Sequence, residues 1–221
     1  MDAMTQKKIV GQKAADMTKD GQIIGLGTGS TVTWYAKALK ERIENGDEFY
    51  AVPTSFQSLE LCVQNGIKTT TLQEHMPEIA FDGADEVDAN NCLIKGRGGA
   101  LTQEKIIDYY AKEFYVLVDQ SKMVDILGTS FKTPVEVIPM GLAPAQKELA
   151  KFGTPHLRQA QAKDGPVVTD NGNFIVDVEM KIDDPASYEA SINNIPGVIE
   201  NGIFTRDCKI IIPNNDVIDI I

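Results

Sequence analysis

The stretch that decides the fold is "GQIIGLGTGST", residues 21–31. Its apolar part, "IIGL", predicts a short buried strand, and its glycine-rich end opens a segment with Val32, Ala36 and Leu39 at helical spacing. A strand followed at once by a helix is the repeating unit of sheets with parallel strands. The same alternation continues through "FYAVPTS", "PEIAFDGADE" and "EFYVLVD". The first half is therefore predicted to form a parallel sheet with helices on both faces.

Beyond Gly128 the pattern of the chain changes. "PVEVIP" alternates like a half-buried strand, "APAQKELAKF" is helical, "VVTDNGNFIVDV" predicts a hairpin, and a further helix and strand follow. This order, βα-ββ-αβ, resembles a split βαβ module. The final "CKIIIPNNDVIDII" predicts two more strands that return to the first sheet. The predicted fold class is α/β: a Rossmann-like large domain (1–128 and 205–221) with a smaller inserted α+β, ferredoxin-like lid domain (129–204).

The composition narrows the classes of partner. The chain carries a formal net charge of -11, whereas nucleic acid and an anionic membrane both demand a basic face. A small anionic substrate remains compatible, because a phosphate needs only one locally positive pocket. Three dispersed cysteines and an N-terminus without an apolar signal core predict a cytoplasmic protein with reduced thiols. We therefore expect no nucleic-acid partner and no membrane partner.

The glycine-rich "GLGTGST" predicts an anion site. Backbone N–H groups and the dipole at the start of a helix attract anions, and Thr28, Ser30 and Thr31 add hydroxyl donors. A dinucleotide fingerprint does not fit, because Ser30 stands where its third glycine would be, and the lysine of a Walker loop is absent. Two interpretations stay open at this point: a small phosphate site, and a tight turn with an ordinary Ser/Thr cap.

"FDGADEVD" places several acids after the third predicted strand. Ligands of open α/β sheets bind beyond the carboxyl ends of the strands, which favours functional roles for Asp82 and Asp85. A metal site is not predicted, because EF-hand spacing is absent and the two histidines fall in different modules. Glu86 and Asp88 are interpreted as turn residues that bond their own backbone.

"KGRGGALTQEK", residues 95–105, carries the most specific pattern. Its glycines let backbone amides converge on an anion beside the charge of Lys95. Thr102 is predicted to be a helix N-cap, which puts Glu104 in the first turn, where the dipole favours an ionised carboxylate suited to a base. The alternative is a flexible glycine loop with an acid that merely satisfies the helix start. Lys122, which follows a predicted strand, either reaches a phosphate or is a solvated lysine.

In their order along the chain, these stretches resemble the type A family of ribose-5-phosphate isomerases. The motifs that carry the resemblance are "GLGTGST", "PTSFQS", "FDGADEVD", "KGRGGALTQEK", "VDQSK", "VDILG", "PVEVIP" and "VVTDNGNFIVDV". The resemblance implies a Rossmann-like domain with a small α+β lid, no metal and no organic cofactor, and a homodimer or homotetramer. It also implies interconversion of D-ribose 5-phosphate and D-ribulose 5-phosphate through an enediolate, in the non-oxidative pentose phosphate pathway.

The resemblance also implies roles for particular residues. Glu104 matches the family's proton acceptor, and Asp82, Asp85 and Lys95 match its supporting catalytic residues. Arg97 stands where glycine is also common in the family, and it is given no catalytic role. The positions that match substrate-binding segments are Thr28, Gly29, Ser30, Thr31, Gly83, Ala84, Gly96, Arg97, Gly98 and Lys122.

Three other functions are alternatives to the isomerase. A related sugar-phosphate isomerase or deaminase would leave the loop from Lys95 to Glu104 unexplained. A non-catalytic, sugar-phosphate-binding regulatory module is expected to carry a DNA-binding helix pair or a basic face, and this acidic chain shows neither. An NAD enzyme of the Rossmann type would be detected by titration with nicotinamide cofactor.

Overall fold

The structure is a computed structural model that describes residues 1–214 and 217–221. The chain forms two compact units. The first unit comprises Met1–Ala84, Gln103–Lys122 and Asp207–Ile221, and the second comprises Asp85–Thr102 and Met123–Arg206. The predicted domain boundaries, 1–128 with 205–221 and 129–204, stay a prediction, and they differ from the units at residues 85–102, 123–128 and 205–206.

Strands and helices alternate through the first half of the chain, as the sequence predicts. The strands of the described residues are β1 (Ile23–Leu26), β2 (Tyr50–Pro53), β3 (Lys68–Thr69), β4 (Ile79–Gly83), β5 (Glu86–Val87), β6 (Leu93–Ile94), β7 (Glu113–Leu117), β8 (Thr133–Val137), β9 (Thr154–Leu157), β10 (Phe174–Glu179), β11 (Val198–Asn201), β12 (Ile203–Phe204), β13 (Lys209–Asn214) and β14 (Val217–Ile220). Their helices are α1 (Ala3–Met17), α2 (Ser30–Glu44), α3 (Phe56–Asn65), α4 (Leu101–Tyr110), α5 (Leu142–Leu149) and α6 (Pro185–Asn193), with short 3-10 turns at Gln120–Lys122 and Pro139–Gly141. None of these helices has both the length and the apolar character needed to cross a bilayer.

The first unit is built on a seven-stranded sheet with the strand order β14-β13-β7-β4-β1-β2-β3. Neighbouring strands run parallel except β13 and β14, which pair antiparallel. The central strands β1 and β4 are mostly buried apolar runs, as expected where helices cover both faces of a parallel sheet. The α/β fold and the return of the last two strands to this sheet are therefore confirmed. Residues 215 and 216 of that terminal stretch lie outside the described residues.

Aromatic rings from a helix and two strands fill the centre of the first unit. The ring centroids of Tyr35 and Phe81 lie 4.8 Å apart, and those of Phe81 and Tyr115 lie 5.5 Å apart. Tyr35 and Phe81 are fully buried. Burying one such side chain stabilises a fold by roughly 1.5–3 kcal/mol. This packing holds β4, which ends at the predicted site, firmly in the middle of the sheet.

Helix α1 is an element that the sequence patterns did not predict. Its buried face consists of Val10, Gly11, Ala14 and Ala15, so it lacks the stripe of large apolar residues that marks most amphipathic helices. The small residues instead allow a close approach to α2. A Cβ atom added at Gly11 would lie 2.7 Å from the backbone nitrogen of Tyr35.

The second unit contains two antiparallel sheets. The larger one has the order β11-β8-β10-β9, and the chain builds it in the order β8, α5, β9, β10, α6, β11. This order matches the predicted βα-ββ-αβ arrangement, so the ferredoxin-like module is confirmed. The predicted hairpin within "VVTDNGNFIVDV" is wrong in its first strand, because β10 pairs with β9 (Thr154–Leu157), whereas Val168 forms only an isolated bridge to Phe174. The smaller sheet, with the order β12-β6-β5, joins three two-residue strands. Strands that short carry too little pattern to be predicted from sequence.

Candidate active site

Two glycines shape the turn between β1 and α2. A Cβ atom added at Gly27 would lie 2.1 Å from the Asp82 Oδ1, so only glycine leaves room for that carboxylate. Gly29 has a φ of +118°, which L-residues rarely adopt, and α2 begins at the next residue. The turn therefore brings the start of α2 close to the carboxyl end of β4.

Polar side chains gather at the start of α2. The Thr28 Oγ1 lies 2.6 Å from the Ser55 Oγ and 2.9 Å from the Thr54 Oγ1. From α1, the Lys7 Nζ donates to the Ser30 Oγ at 3.0 Å. The hydroxyls, the ammonium and the positive end of the helix dipole together suit a phosphate. Lys7 reaches Ser30 only because α1 packs on α2, a contact that sequence spacing does not indicate.

Asp82 lies at the carboxyl end of β4 and is fully buried. Its Oδ1 accepts hydrogen bonds from the backbone N–H of Thr28 at 3.0 Å and of Gly83 at 2.7 Å. Two charge-assisted bonds to the backbone fix the orientation of the carboxylate. The carboxyl end of a central parallel strand is where ligands of open α/β sheets bind, so Asp82 lies where the sequence predicts.

Glu104 lies in the first turn of α4 and is 4% exposed. The prediction that Thr102 is the N-cap of this helix is wrong, because α4 already begins at Leu101. The Thr102 hydroxyl instead donates to the Glu136 Oε2. The predicted place of Glu104 in the first turn is nevertheless confirmed, and there the helix dipole favours a carboxylate.

Lys95 and Asp85 belong to the second unit. Lys95 is 2% exposed, and its Nζ lies 5.3 Å from the centroid of the Phe204 ring, within cation–π distance. Its backbone N–H donates to the Gly202 carbonyl at 2.9 Å. Asp85 is half-buried, and its Oδ2 accepts from the backbone N–H of Arg97 at 2.9 Å. Asp85 is therefore held beside the glycine loop, residues 95–99, which begins at Lys95.

The glycine loop turns tightly. The Gly99 N–H donates to the Gly96 carbonyl at 3.0 Å, and both glycines have positive φ angles, +82° and +107°. A Cβ atom at Gly96 would also lie 2.8 Å from the Leu101 Cβ. The exposed Arg97 places its guanidinium 5.6 Å from the centroid of the Phe131 ring. The loop thus needs glycine for its conformation, as the sequence predicts.

The remaining acids of "FDGADEVD" have structural roles. The Asp88 Oδ1 accepts from the backbone N–H groups of Asn90 and Cys92, which is the local turn that the sequence predicts. Glu86 differs from that prediction: it is fully buried, and its carboxylate accepts three backbone N–H groups of the distant loop 128–131. Within residues 1–214 and 217–221, no three His, Cys, Asp or Glu side chains are grouped so as to hold a metal ion.

The other predicted site residues are divided between the two units. Gly29, Thr31, Gly83, Ala84 and Lys122 belong to the first unit, and Gly98 belongs to the second. Lys122 ends the 3-10 turn after β7 and is half-buried. The structure therefore joins Thr28, Asp82 and Gly83 directly in one unit, and Asp85 and Arg97 in the other.

A buried carboxylate that the sequence did not single out anchors the start of α4. Glu136, on β8, is fully buried. Its Oε1 accepts from the Thr169 Oγ1 at 2.8 Å, the Asn173 Nδ2 at 2.8 Å and the Asn171 Nδ2 at 3.0 Å, while its Oε2 accepts from Thr102. One side chain therefore satisfies four donors of the second unit.

Replacing this carboxylate is expected to destabilise the protein. We expect Glu136→Leu to lower the free energy of unfolding by about 3 kcal/mol, because four donors, including the buried Thr169 hydroxyl, lose their acceptor. Glu179→Leu, at an exposed position of β10, serves as the control and is expected to change stability little. Urea denaturation measures both, and equal stability of the two variants would contradict the anchoring role of Glu136.

The cysteines show no sign of a nucleophile or a disulfide. Cys62, Cys92 and Cys208 are not in disulfides. Burial raises the pKa of the Cys62 thiol to about 12. Burial, and then the charges of Asp88 and Glu189, raise the pKa of the Cys92 thiol to about 11. Both thiols therefore stay protonated near neutral pH, in the form that is a poor nucleophile.

Comparison with known proteins assigns the family. Residues 50–216 match the model of the family ribose 5-phosphate isomerase A (phosphoriboisomerase A). The chain belongs to this family. A curated relative, ribose-5-phosphate isomerase A of Methanothermobacter thermautotrophicus, is 49% identical over 212 residues, which cover 95% of this chain and 93% of the relative. The resemblance inferred from the motifs is thereby confirmed.

Solved structures extend the family match to the fold. The structure of ribose 5-phosphate isomerase A from Methanocaldococcus jannaschii has a TM-score of 0.95 and 47% sequence identity, and the match covers 97% of each chain. A D-ribose-5-phosphate isomerase solved in complex with phospho-erythronic acid has a TM-score of 0.97 and 44% identity, covering 100% of this chain and 99% of that one. The fold described above is therefore that of the family.

Proposed function

We propose that this chain interconverts D-ribose 5-phosphate and D-ribulose 5-phosphate. The observation that carries the proposal is the family match, with a 49% identical isomerase aligned over 95% of the chain. The buried carboxylate of Glu104 in the first turn of α4 supports it, because an aldose–ketose isomerase needs one carboxylate that can carry a proton between C1 and C2.

In the proposed reaction Glu104 takes the proton from C2 of the open-chain aldose. The C–H electron pair forms the C1=C2 double bond, and the carbonyl pair moves onto O1 to give an enediolate. Glu104 then returns the proton to C1, while O2 loses its proton as C2=O forms and O1 gains one. The protons balance, so the reaction needs no oxidant and no cofactor.

The remaining catalytic residues would act on the oxygens of the sugar. Lys95 and the backbone amides of Gly96–Gly98 are proposed to stabilise the enediolate oxygen, and one such donor is worth roughly 3–4 kcal/mol in the barrier. Asp82 and Asp85 are proposed to move hydroxyl protons, including those that transfer when the sugar ring opens. The hydrogen bonds that fix the Asp82 carboxylate support a preorganised role.

The phosphate group is proposed to bind at the start of α2, with Lys122 as a further candidate for the same group. Thr28, Ser30 and Thr31 supply hydroxyls there, and Lys7 adds the positive charge nearest to Ser30. A phosphate held far from the reacting carbons supplies binding energy that positions the sugar.

Lys7 allows a direct test of the phosphate site. We expect Lys7→Met to raise KM for ribose 5-phosphate about tenfold with little change in kcat, since a phosphate contact acts alike on substrate and transition state. Lys8→Met is the matched control, because Lys8 is the exposed neighbour on the same helix. Steady-state kinetics measure both variants. Equal KM values for the two would contradict the assignment of Lys7.

The three alternative functions that the sequence leaves open are not favoured. The matching family and the relatives aligned over most of the chain are isomerases. A cytoplasmic location belongs to the proposal and is supported by the three cysteines, which are not in disulfides and suit a reducing compartment. Assembly as a homodimer or homotetramer also belongs to the proposal, and light scattering after size-exclusion chromatography tests it.

The decisive experiment is incubation with ribose 5-phosphate and measurement of ketose formation. We expect ribulose 5-phosphate to accumulate to an equilibrium that is also reached from the ketose side. A parallel assay after treatment with EDTA is expected to give the same rate, because the proposed chemistry uses side chains alone. Absence of ketose formation would overturn the proposed function, and a rate lost to EDTA and restored by a divalent cation would overturn its metal-free mechanism.

A further inference from the structure

One arginine of the second unit bonds the backbone of the glycine loop. Arg158 lies one residue beyond β9, and its Nη1 donates to the Gly96 carbonyl at 3.0 Å and to the Arg97 carbonyl at 2.9 Å. The other side of its guanidinium pairs with Asp177 on β10, from Nε to Oδ2 at 2.8 Å and from Nη2 to Oδ1 at 2.5 Å. The side chains of Arg158 and Asp177 are mostly buried, with 17% and 19% of their surface exposed.

These bonds determine where the amides of the loop point. In a trans peptide the carbonyl and the following N–H point in opposite directions. With the Gly96 carbonyl held by Arg158, the Arg97 N–H points away from the guanidinium, where it donates to the Asp85 Oδ2 at 2.9 Å. With the Arg97 carbonyl held in the same way, the Gly98 N–H is also turned away from Arg158. Among the described residues no acceptor is recorded for that N–H.

The pair of Arg158 and Asp177 is built to be rigid. A bidentate Arg–carboxylate pair has defined geometry, and here the carboxylate stands on a strand inside the larger sheet. The loop that it holds contains Gly96, Gly98 and Gly99, which lack the side chains that restrict backbone conformation, so its orientation depends on contacts such as these. Donors stabilise a transition state only when their orientation is set before the reaction.

We propose that Arg158, held by Asp177, is a positioning residue that aims the Gly98 N–H at the enediolate oxygen. The inference rests on the proposed isomerase function and adds to it a role for two residues that the motifs did not single out. In this role Arg158 acts through the backbone of the loop. Its loss therefore weakens binding of the reacting end of the sugar and leaves binding of the phosphate intact.

The test compares Arg158→Met and Asp177→Asn with Lys132→Met. Lys132 is the control, because it is an exposed cation of the same unit whose recorded ion pair is with Glu179 rather than with the loop. We call the pair of Arg158 and Asp177 the clamp. We expect Arg158→Met and Asp177→Asn to lower kcat about tenfold or more, since small displacements of a positioned group cost that much. Affinity for phospho-erythronic acid, whose carboxylate resembles the enediolate, should fall by a similar factor. Affinity for inorganic phosphate should stay at the wild-type value.

Two outcomes would overturn the clamp. The first is wild-type kcat in Arg158→Met. The second is a parallel loss of kcat, phosphate affinity and thermal stability, which would mean that Arg158 only supports folding. If the wild-type protein itself lacks isomerase activity, the proposed function fails, and the clamp is then judged by NMR. The order parameter of the Gly98 amide should fall in Arg158→Met and not in Lys132→Met, and an unchanged value would overturn the clamp whatever the activity.

Discussion

Glu104→Gln is expected to lower kcat by about a thousandfold or more, because the amide cannot accept the proton that moves between C1 and C2. The affinity for substrate should change little, since glutamine keeps the shape of the side chain and the proposed phosphate contacts lie on other residues. Steady-state kinetics with ribose 5-phosphate measure the rate, and isothermal titration with phospho-erythronic acid measures ligand binding.

The control for this variant is another buried acid on the same helix. Asp108 lies one turn further along α4 and is 1% exposed. We expect Asp108→Asn to keep most of the wild-type kcat in whatever fraction of the protein remains folded. A Glu104→Gln enzyme with near-normal turnover would show that the base assignment is wrong. An equal loss of kcat in Glu104→Gln and Asp108→Asn would also contradict the base assignment, because it would show that any buried acid on this helix is needed for activity.

Lys95→Met is expected to lower kcat/KM by about a hundredfold or more, because the enediolate oxygen loses a preorganised cationic donor. Methionine nearly matches the volume of lysine, and Lys95 is 2% exposed against the ring of Phe204. The similar volume of the two side chains favours folding of the variant. Its affinity for inorganic phosphate should match that of the wild type, which separates a role at the reacting carbons from a role at the phosphate.

Lys181→Met is the charge-matched control for Lys95→Met. Lys181 is exposed and lies in the same unit, so its loss changes the net charge equally without removing a buried donor. We expect wild-type kinetics from it. A Lys95→Met enzyme that kept wild-type kcat/KM would show that Lys95 is not a catalytic residue. Thermal denaturation of both variants identifies any loss of activity that comes from unfolding.

Local sequence patterns were sufficient for most of the fold. The alternation of apolar runs with helical spacing predicted the strands of the parallel sheet and their helices, and the order of elements predicted the ferredoxin-like module. Helix α1, strand β9 and the two-residue strands β3, β5 and β6 were not predicted, because a helix face of small residues and strands of two to four residues carry almost no periodic signal. The N-cap of α4 was misplaced, because the hydroxyl of Thr102 bonds a distant carboxylate rather than its own helix.

The sequence by itself determined the family and the places where the backbone needs glycine, because motifs such as "GLGTGST" and "KGRGGALTQEK" are contiguous and their residue types follow from local backbone needs. Only the tertiary structure decided which distant side chains support them. Lys7 meets Ser30 through the packing of α1 on α2, Glu86 holds the loop 128–131, and Arg158 meets a loop about sixty residues earlier in the chain. Such contacts depend on how elements pack, and neither spacing nor periodicity records packing between residues far apart in sequence.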